Sequence, residues 1–557
     1  MKTFLRFAVV SCAALIALPA QAFDTSDYRQ NTYGAPNHYC DPARALGSNG
    51  AGTLGDPWTL EQAMQLAVAG DVVGILPGVG VTLPAPNGVH IPAFGPTHSG
   101  TSTSRIVFVT KYAAVALPDV ATNPGRTELR HAGTRATAAG QYENGNGGPT
   151  FGSYFQSYVT LDGFFVDMAH AQPKGDSGVL RVEEATGVHF RNFEIKGTTT
   201  NMQSNPVIYR PQNAMSTVLS NFRAYDFAND TSGSAVPQAA LFSDQYGDHD
   251  VLIEHFDIRN TERGIFFKGA TALPFNYGTV RYGVVSNVSS CFQFNALDPT
   301  SPTTVEYNLC YDVKWGGGIV LSSETLDAHN ILIHHNTVAR VNASDPNTQG
   351  GIYSRANGIG ANVVVRDNVI DVDAGTFGHA VALGEIAGLP SVLDYNGYTK
   401  NGAAISWAWN GAQYGSLAAW QTATSRDAHS IVLASSPFVD RAGGNFRIAN
   451  GHPAKTASST SGEIGAFGGN EIVGVDVSPV GPAVDGGADA SGPAPSDTGG
   501  VAGAADPSSA TSGASRADDG GGGCSTSSKN PARGAVFVMM LAGLALVWKR
   551  ARQERSR

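Results

Sequence analysis

ILIHHNTVAR, residues 331–340, places apolar side chains at Ile331 and Ile333 and an asparagine, Asn336, three residues after the second. The same design recurs in VTLDGFFVDM (159–168), VHFRNFEIKG (188–197), TVLSNFRAYDF (217–227), VLIEHFDIRN (251–260), GTVRYGVVSN (278–287), TTVEYNLCYDV (303–313), VVVRDNVIDV (363–372) and SVLDYNGYTK (391–400). One apolar position repeats at Leu161, Phe190, Leu219, Ile253, Val280, Val305, Ile333, Val365 and Leu393, at intervals of 25 to 34 residues. Three residues beyond it stand Phe164, Phe193, Phe222 and Phe256, then Gly283, then Asn308, Asn336, Asn368 and Asn396. A phenylalanine ladder that passes into an asparagine ladder requires strands stacked in register about 4.8 Å apart.

A second strand follows in each repeat: GVLRVEE, PVIYRPQ, AALFSDQ, GIFFKGA, CFQFNAL, GIVLSSE, GIYSRAN and AVALGEI. Short strands with glycine at the bends and this period describe an all-β chain, a right-handed parallel β-helix. A propeller needs about 40–45 residues per blade, and a sandwich does not keep such a register. Before the first coil, DPWTLEQAMQLAVAG (56–70) reads as an N-terminal capping helix, with Thr59 and Gln62 as its capping box and Gly70 as its stop. Residues 416–468 are expected to close the other end.

The ends set the compartment. Residues 1–22 show a basic start, an apolar run and Ala20-Gln21-Ala22, the pattern of a signal peptide cleaved after Ala22. The body is expected over 23–474. Residues 475–523, rich in Gly, Ala, Ser and Pro, cannot bury a core and read as a flexible linker. Residues 524–557 hold Cys524 after four glycines, a short apolar run (534–548) and the basic tail KRARQERSR. This arrangement resembles the MYXO-CTERM sorting signal of myxobacterial surface proteins, which implies processing at Cys524 and a sorting protease and translocation machinery as partners. A plain membrane anchor would also display the body outside the cell, at the surface or released from it. A net charge of −10 with 15% charged residues argues against a nucleic-acid partner. A monomer is expected.

The layout resembles the secreted, pectate-lyase-like β-helix proteins of bacteria. The resemblance lies in ALGSNGAGTLGDPWTLEQAM (45–64) and in FRIANGHPA with IGAFG near the end, and it spans about 39–468. It implies the fold. It does not specify an activity, because that superfamily holds lyases, hydrolases, epimerases and non-enzymes.

Activity must come from a site, and repeat alignment proposes which outward residues are neighbours. One column reads Asp162, Arg191, Ser220, Glu254, Arg281, Glu306, His334, Arg366 and Asp394, with opposite signs adjoining at three steps. It reads as a charge ladder that keeps a flat β surface soluble. A second column, aligned on the second strands, reads Glu183, Arg210, Asp244, Lys268, Asn295, Ser322 and Arg355. Lys268 ends an apolar strand, either as a solvated strand end or as a base aimed into a cleft.

Lys268 in GIFFKG resembles the catalytic lysine of polysaccharide lyases of the chondroitinase B and alginate lyase type, where an arginine sits on the next coil and acids hold Ca²⁺. Here the next coil offers Asn295, and the lysine-serine and arginine-histidine-glycine signatures are absent. The resemblance implies Lys268 as base but does not carry over the arginine; Arg210 and Asn295, from the same column, are the further catalytic candidates. Arg355 and Glu183 are the substrate-binding candidates, and Asp244, Asp248, Asp250 and Glu262 the calcium candidates. β-Elimination needs a base for the proton next to a carboxylate, and a cation or donors for the developing enolate. An adjacent Asp244 would raise the lysine pKa unless Ca²⁺ occupied it.

Two other functions stay open: a non-catalytic glycan-binding or adhesive surface protein, and a glycoside hydrolase using Asp244, Asp248 and Asp250. His334 and His335 are expected to alternate in and out and so not to share a metal. Trp407 and Trp409 share a face and read as packing under the cap or as a sugar platform. Cys291 and Cys310, on neighbouring coils, are the disulfide candidates.

Overall fold

The computed structural model describes residues 30–475, apart from 46, 84–93, 111–126, 132–150, 168–178, 198–208, 227–239, 245–248, 269–276, 296, 299, 322–328, 343–349, 355–358, 374–377, 385–390, 402–404 and 470. Strands stack in parallel into one continuous sheet of 30 strands wound as a β-helix. The signal sequence with Ala22, the linker from residue 476 and the C-terminal segment with Cys524 lie outside the described residues.

Each full coil contributes a strand to each of three stacked sheets. In the first sheet the nine apolar positions from Leu161 to Leu393 are in continuous register, as the repeat predicts. Val73 and Phe108 extend that column two coils toward the N-terminus. The second sheet stacks Val166, Ile195, Ala224, Ile258, Val285, Cys310, Val338, Ile370 and Tyr398. The third stacks Leu180, Tyr209, Phe242, Ile265, Phe292, Ile319, Ile352, Val381 and Trp407. Side chains from the three columns meet in a single apolar core.

The corner between the first and second sheets is made by one residue per coil in the left-handed region. Asn192, Asn221, His255, Tyr282, Tyr307, His335, Asp367 and Tyr395 all have φ between 50° and 58°. Non-glycine residues there cost of order 1 kcal/mol or more each, and the ladders offset that cost. Asn336 Nδ2 donates to the Val305 carbonyl (2.8 Å) and to Asn368 Oδ1 (3.1 Å). Its own Oδ1 accepts from the Asn308 backbone N–H (3.1 Å). Each asparagine thus satisfies buried polar groups at a corner too tight for ladder pairing. Phe193, Phe222 and Phe256 stack at 4.6 and 5.6 Å between ring centres. The phenylalanine run ends where a Cβ on Gly283 would lie 1.9 Å from Phe256 Cζ, so only glycine fits beneath the last ring.

The N-terminal helix forms over Leu60–Leu66 with the Thr59/Gln62 capping box in place. It stops earlier than Gly70. The chain turns extended at Ala67, and the Asp71 carboxylate accepts from the Val68 N–H (2.8 Å) before Gly70 adopts φ 94°.

The C-terminal region departs from a simple end cap. Helix Leu417–Thr424 does close the solenoid, setting the buried Trp420 against Trp409. From Ile431 onward, however, the chain folds back along the outside of the second sheet. Leu433, Phe438, Phe446, Ile448 and Ile464 pack on Leu309, Ala339 and Val369. The strap then runs back over successive coils, with N–H groups of Gly465 and Gly474 donating to Asp367 O (2.9 Å) and Tyr282 O (2.7 Å). The outward second-sheet positions there are apolar (Val284, Leu309, Val369), so uncovered they would expose a hydrophobic stripe.

Candidate functional site

The third sheet carries the candidate catalytic residues, and its register divides the expected column. Arg210 faces Arg181, Gln212 faces Glu183, Asp244 faces Phe267, and Lys268 faces Asn295. Extending these registers puts Glu183, Gln212, Lys268 and Asn295 in one column. Arg210 lies two positions upstream of that column and Asp244 one position upstream. Asp244 is therefore not the direct neighbour of Lys268. The misalignment has a physical cause. Phe266 is buried although it points outward between two core residues, so IFF reads as an unbroken apolar run and hides the alternation.

Burial of outward positions distinguishes this sheet. Leu180 and Val182 face the core, so the residues between and after them, Arg181 and Glu183, face out. Both are nonetheless buried, with side-chain exposures of 2% and 8%, joined by Arg181 Nη2 to Glu183 Oε2 at 2.7 Å. Asn295, Phe266, Val320 and Tyr353 are also outward and buried. The outer face of the third sheet is thus covered at these positions, where the charges and amides sit at low dielectric, whereas the outward Gln293, Ala382 and Ala408 are half-buried.

The remaining candidates scatter. Asp250 is exposed, at φ 60°, and accepts from Ser216 Oγ (3.0 Å) ahead of the first sheet. Glu262 is buried, 3.6 Å from Arg263 Nε, whose guanidinium lies over Phe266. It precedes Lys268 by six strand residues, about 20 Å of extended chain. Glu262 therefore cannot join Asp244 and Asp250 in one metal site. Asp248 and Arg355 lie outside the described residues, and for Arg210, Asp244 and Lys268 the strand position alone is described. Cys291 and Cys310 form the expected disulfide, and Cys40 is buried and free.

Of the three opposite-sign steps expected in the first-sheet column, the ion pairs among the described residues include only Glu254–Arg281; the histidine pairs are ones the sequence did not single out. Arg281 Nη2 meets Glu254 at 2.8 Å, His334 Nε2 meets Glu306 at 3.1 Å, and His429 Nδ1 meets Asp394 at 2.7 Å. Burial alone would raise the Glu306 pKa, but His334 and Arg281 outweigh it and hold the carboxyl below its usual range. At the N-terminal step Asp162 is taken by Tyr33 Oη (2.6 Å) and Asn192 Nδ2 (2.6 Å) instead of forming the expected rung with Arg191.

His334 and His335 do not alternate in and out. The left-handed turn at His335 keeps both rings outside, with their Nδ1 atoms 2.9 Å apart. Burial pushes His335 down to about 4, so one neutral ring accepts from the other. Trp407 and Trp409 both face the core, against Tyr398 and Trp420, and are packing residues.

No family model and no curated protein matches the chain. Among solved structures it is similar to a rhamnogalacturonan lyase at 15% identity, covering 64% of this chain and 87% of that one, with a TM-score of 0.42. It is similar to pectate lyase Pel9A at 13% identity, covering 78% and 96%, with a TM-score of 0.40. A third is the PL6 family polysaccharide lyase Pedsa3628 from Pseudopedobacter saltans, at 14% identity, 75% and 97% coverage and a TM-score of 0.27. At these identities the likeness is one of fold.

Proposed function

We propose that this chain is an exported enzyme that cleaves an acidic polysaccharide by β-elimination, with Lys268 as the base. The observation that carries the reading is the burial of the outward residues nearest Lys268 on the third sheet, Phe266 and Asn295. Lys268 ends its strand in register with the fully buried Asn295, and the buried Arg181–Glu183 pair lies three coils away along the same sheet. A covered, low-dielectric face is where a lysine loses its proton most readily, because desolvation disfavours the ammonium. With Asp244 displaced by one register position, the main objection to a lowered lysine pKa weakens.

In this mechanism the Lys268 amine takes the proton next to the uronate carboxylate. The electron pair left on that carbon forms the new double bond and expels the glycosidic oxygen, which takes a proton from the Lys268 ammonium or from water and leaves as the alcohol of the departing chain. Of the donor candidates for the enolate oxygens, where charge develops, only Asn295 adjoins Lys268 in register; Arg210, two coils away and two positions upstream, is too far to reach them. Arg355 and Glu183 fall to substrate binding, although Glu183 is already held by Arg181. Glu262 is too distant to share a calcium site with the other acids. Asp250 stands ahead of the first sheet on Ser216 and Asp244 pairs with the core-facing Phe267, so these acids do not fit a shared Ca²⁺ site and no step is routed through a metal.

Export is supported by the signal pattern ending at Ala22, by the disulfide Cys291–Cys310, which suits an oxidising compartment, and by the Cys524 sorting pattern. The test is ultraviolet absorbance of unsaturated uronate after incubating the full chain with alginate, pectate or glycosaminoglycans, with and without Ca²⁺. A rise that Lys268→Ala abolishes supports the reading. A flat trace on every substrate, or an undiminished rise in Lys268→Ala, rejects it. In the flat case the mutually paired first-sheet ladder favours a glycan-binding surface protein.

A further inference from the structure

The C-terminal strap encloses a cavity of about 430 Å³ that none of the site residues above line. Its volume is within the roughly 300–1,000 Å³ of small-molecule sites. Strands Phe438–Asp440 and Asn445–Ile448 and the short 3₁₀ turn Pro453–Thr456 shape it. Val439, Arg447, Asn450, Lys455, Glu463 and Phe467 supply its chemistry.

Three features of this lining are specific. The Arg447 guanidinium lies 4.7 Å from the centre of the Phe467 ring, which holds the cation at one wall. Lys455 Nζ is fixed on Glu463 Oε2 at 2.5 Å. The other carboxylate oxygen, Glu463 Oε1, is buried and has no hydrogen-bond partner. The cavity therefore combines two cations with an apolar patch from Val439 and Phe467; Glu463 Oε1 is closed off from it, and Glu463 acts there by holding Lys455.

We infer that this cavity binds a uronic acid unit of a polysaccharide, as an anchoring site apart from Lys268. The sugar carboxylate pairs with Arg447 and Lys455. The C–H face of the ring lies on Val439 and Phe467. A simple inorganic anion would use the cations but leave that apolar wall uncovered, and a neutral sugar would bring no charge to Arg447. The cavity lies on the chain covering the second sheet, whereas Lys268 ends a third-sheet strand. The polymer would thus be held at a second point. The choice of a uronate as ligand rests on the proposed function; the cavity and its lining do not.

The test uses the full chain carrying Lys268→Ala, so that substrate is bound without turnover. Calorimetric titration with oligogalacturonate is compared with uncharged cello-oligosaccharide. Arg447, exposed at its strand position, is changed to Ala and to Glu, and Glu463 to Gln. The expected result is about tenfold weaker oligogalacturonate binding in Arg447→Ala, a greater loss in Arg447→Glu, and negligible cello-oligosaccharide binding throughout. Unchanged oligogalacturonate affinity in both Arg447 variants, with melting temperatures preserved, overturns the site, as does equal binding of the neutral oligomer. Arg447-dependent binding without any lyase activity in the unmodified chain would remove the catalytic reading and leave this site standing. Lyase activity with Arg447-independent binding would do the reverse.

Discussion

Arg181 and Glu183 stand two residues apart on one strand, both facing away from the core, and yet their 2.7 Å ion pair is almost fully buried. Removing one partner strands a charge at low dielectric. Arg181→Met should therefore cost about 3–5 kcal/mol, while Arg181→Met with Glu183→Leu should recover most of that loss. Denaturant unfolding of the three proteins measures it. A single-variant cost under about 1 kcal/mol would mean that water reaches the pair.

Gly283 marks the switch between two ladders because the Phe256 ring occupies the space of its missing side chain. Gly283→Ala should destabilise by about 1–3 kcal/mol through overpacking. Adding Phe256→Leu should restore part of that stability by freeing the ring volume. Thermal melting of the single and double variants decides it, and purely additive losses would contradict the steric account.

The disulfide Cys291–Cys310 closes a loop of 19 residues between adjacent coils. Cys310→Ser should lower stability by about 2–4 kcal/mol under oxidising conditions. With the native protein fully reduced, the difference between the two should largely vanish. Paired denaturation curves with and without reductant make the comparison.

His335 ionises near 4 in the folded chain, against an ordinary value of 6.5, with burial as the leading cause. Between these values the unfolded chain binds a proton that the folded chain refuses, so stability falls as pH drops through that window. His335→Asn keeps a residue that tolerates the left-handed turn and should flatten the melting temperature over the same range. Glu306 contributes to the pH dependence below its ordinary value of 4.5. Its lowered pKa contributes stability that is lost only as pH falls through the folded value. An unchanged pH profile in His335→Asn would show that the ring is solvated.

Sequence alone determined the β-helix, the first-sheet register from Leu161 to Leu393, the Glu254–Arg281 rung and the Cys291–Cys310 pair. These follow from a local repeat, since equivalent residues of successive coils must stack. Tertiary structure decided what the repeat leaves free. It set the third-sheet register, because an outward Phe266 buried from outside looks like core in one dimension. It turned both His334 and His335 outward, because a left-handed corner breaks the two-residue alternation. It also laid the chain after Ile431 along the second sheet instead of across the end, because the apolar stripe that it covers comes from residues far apart in sequence.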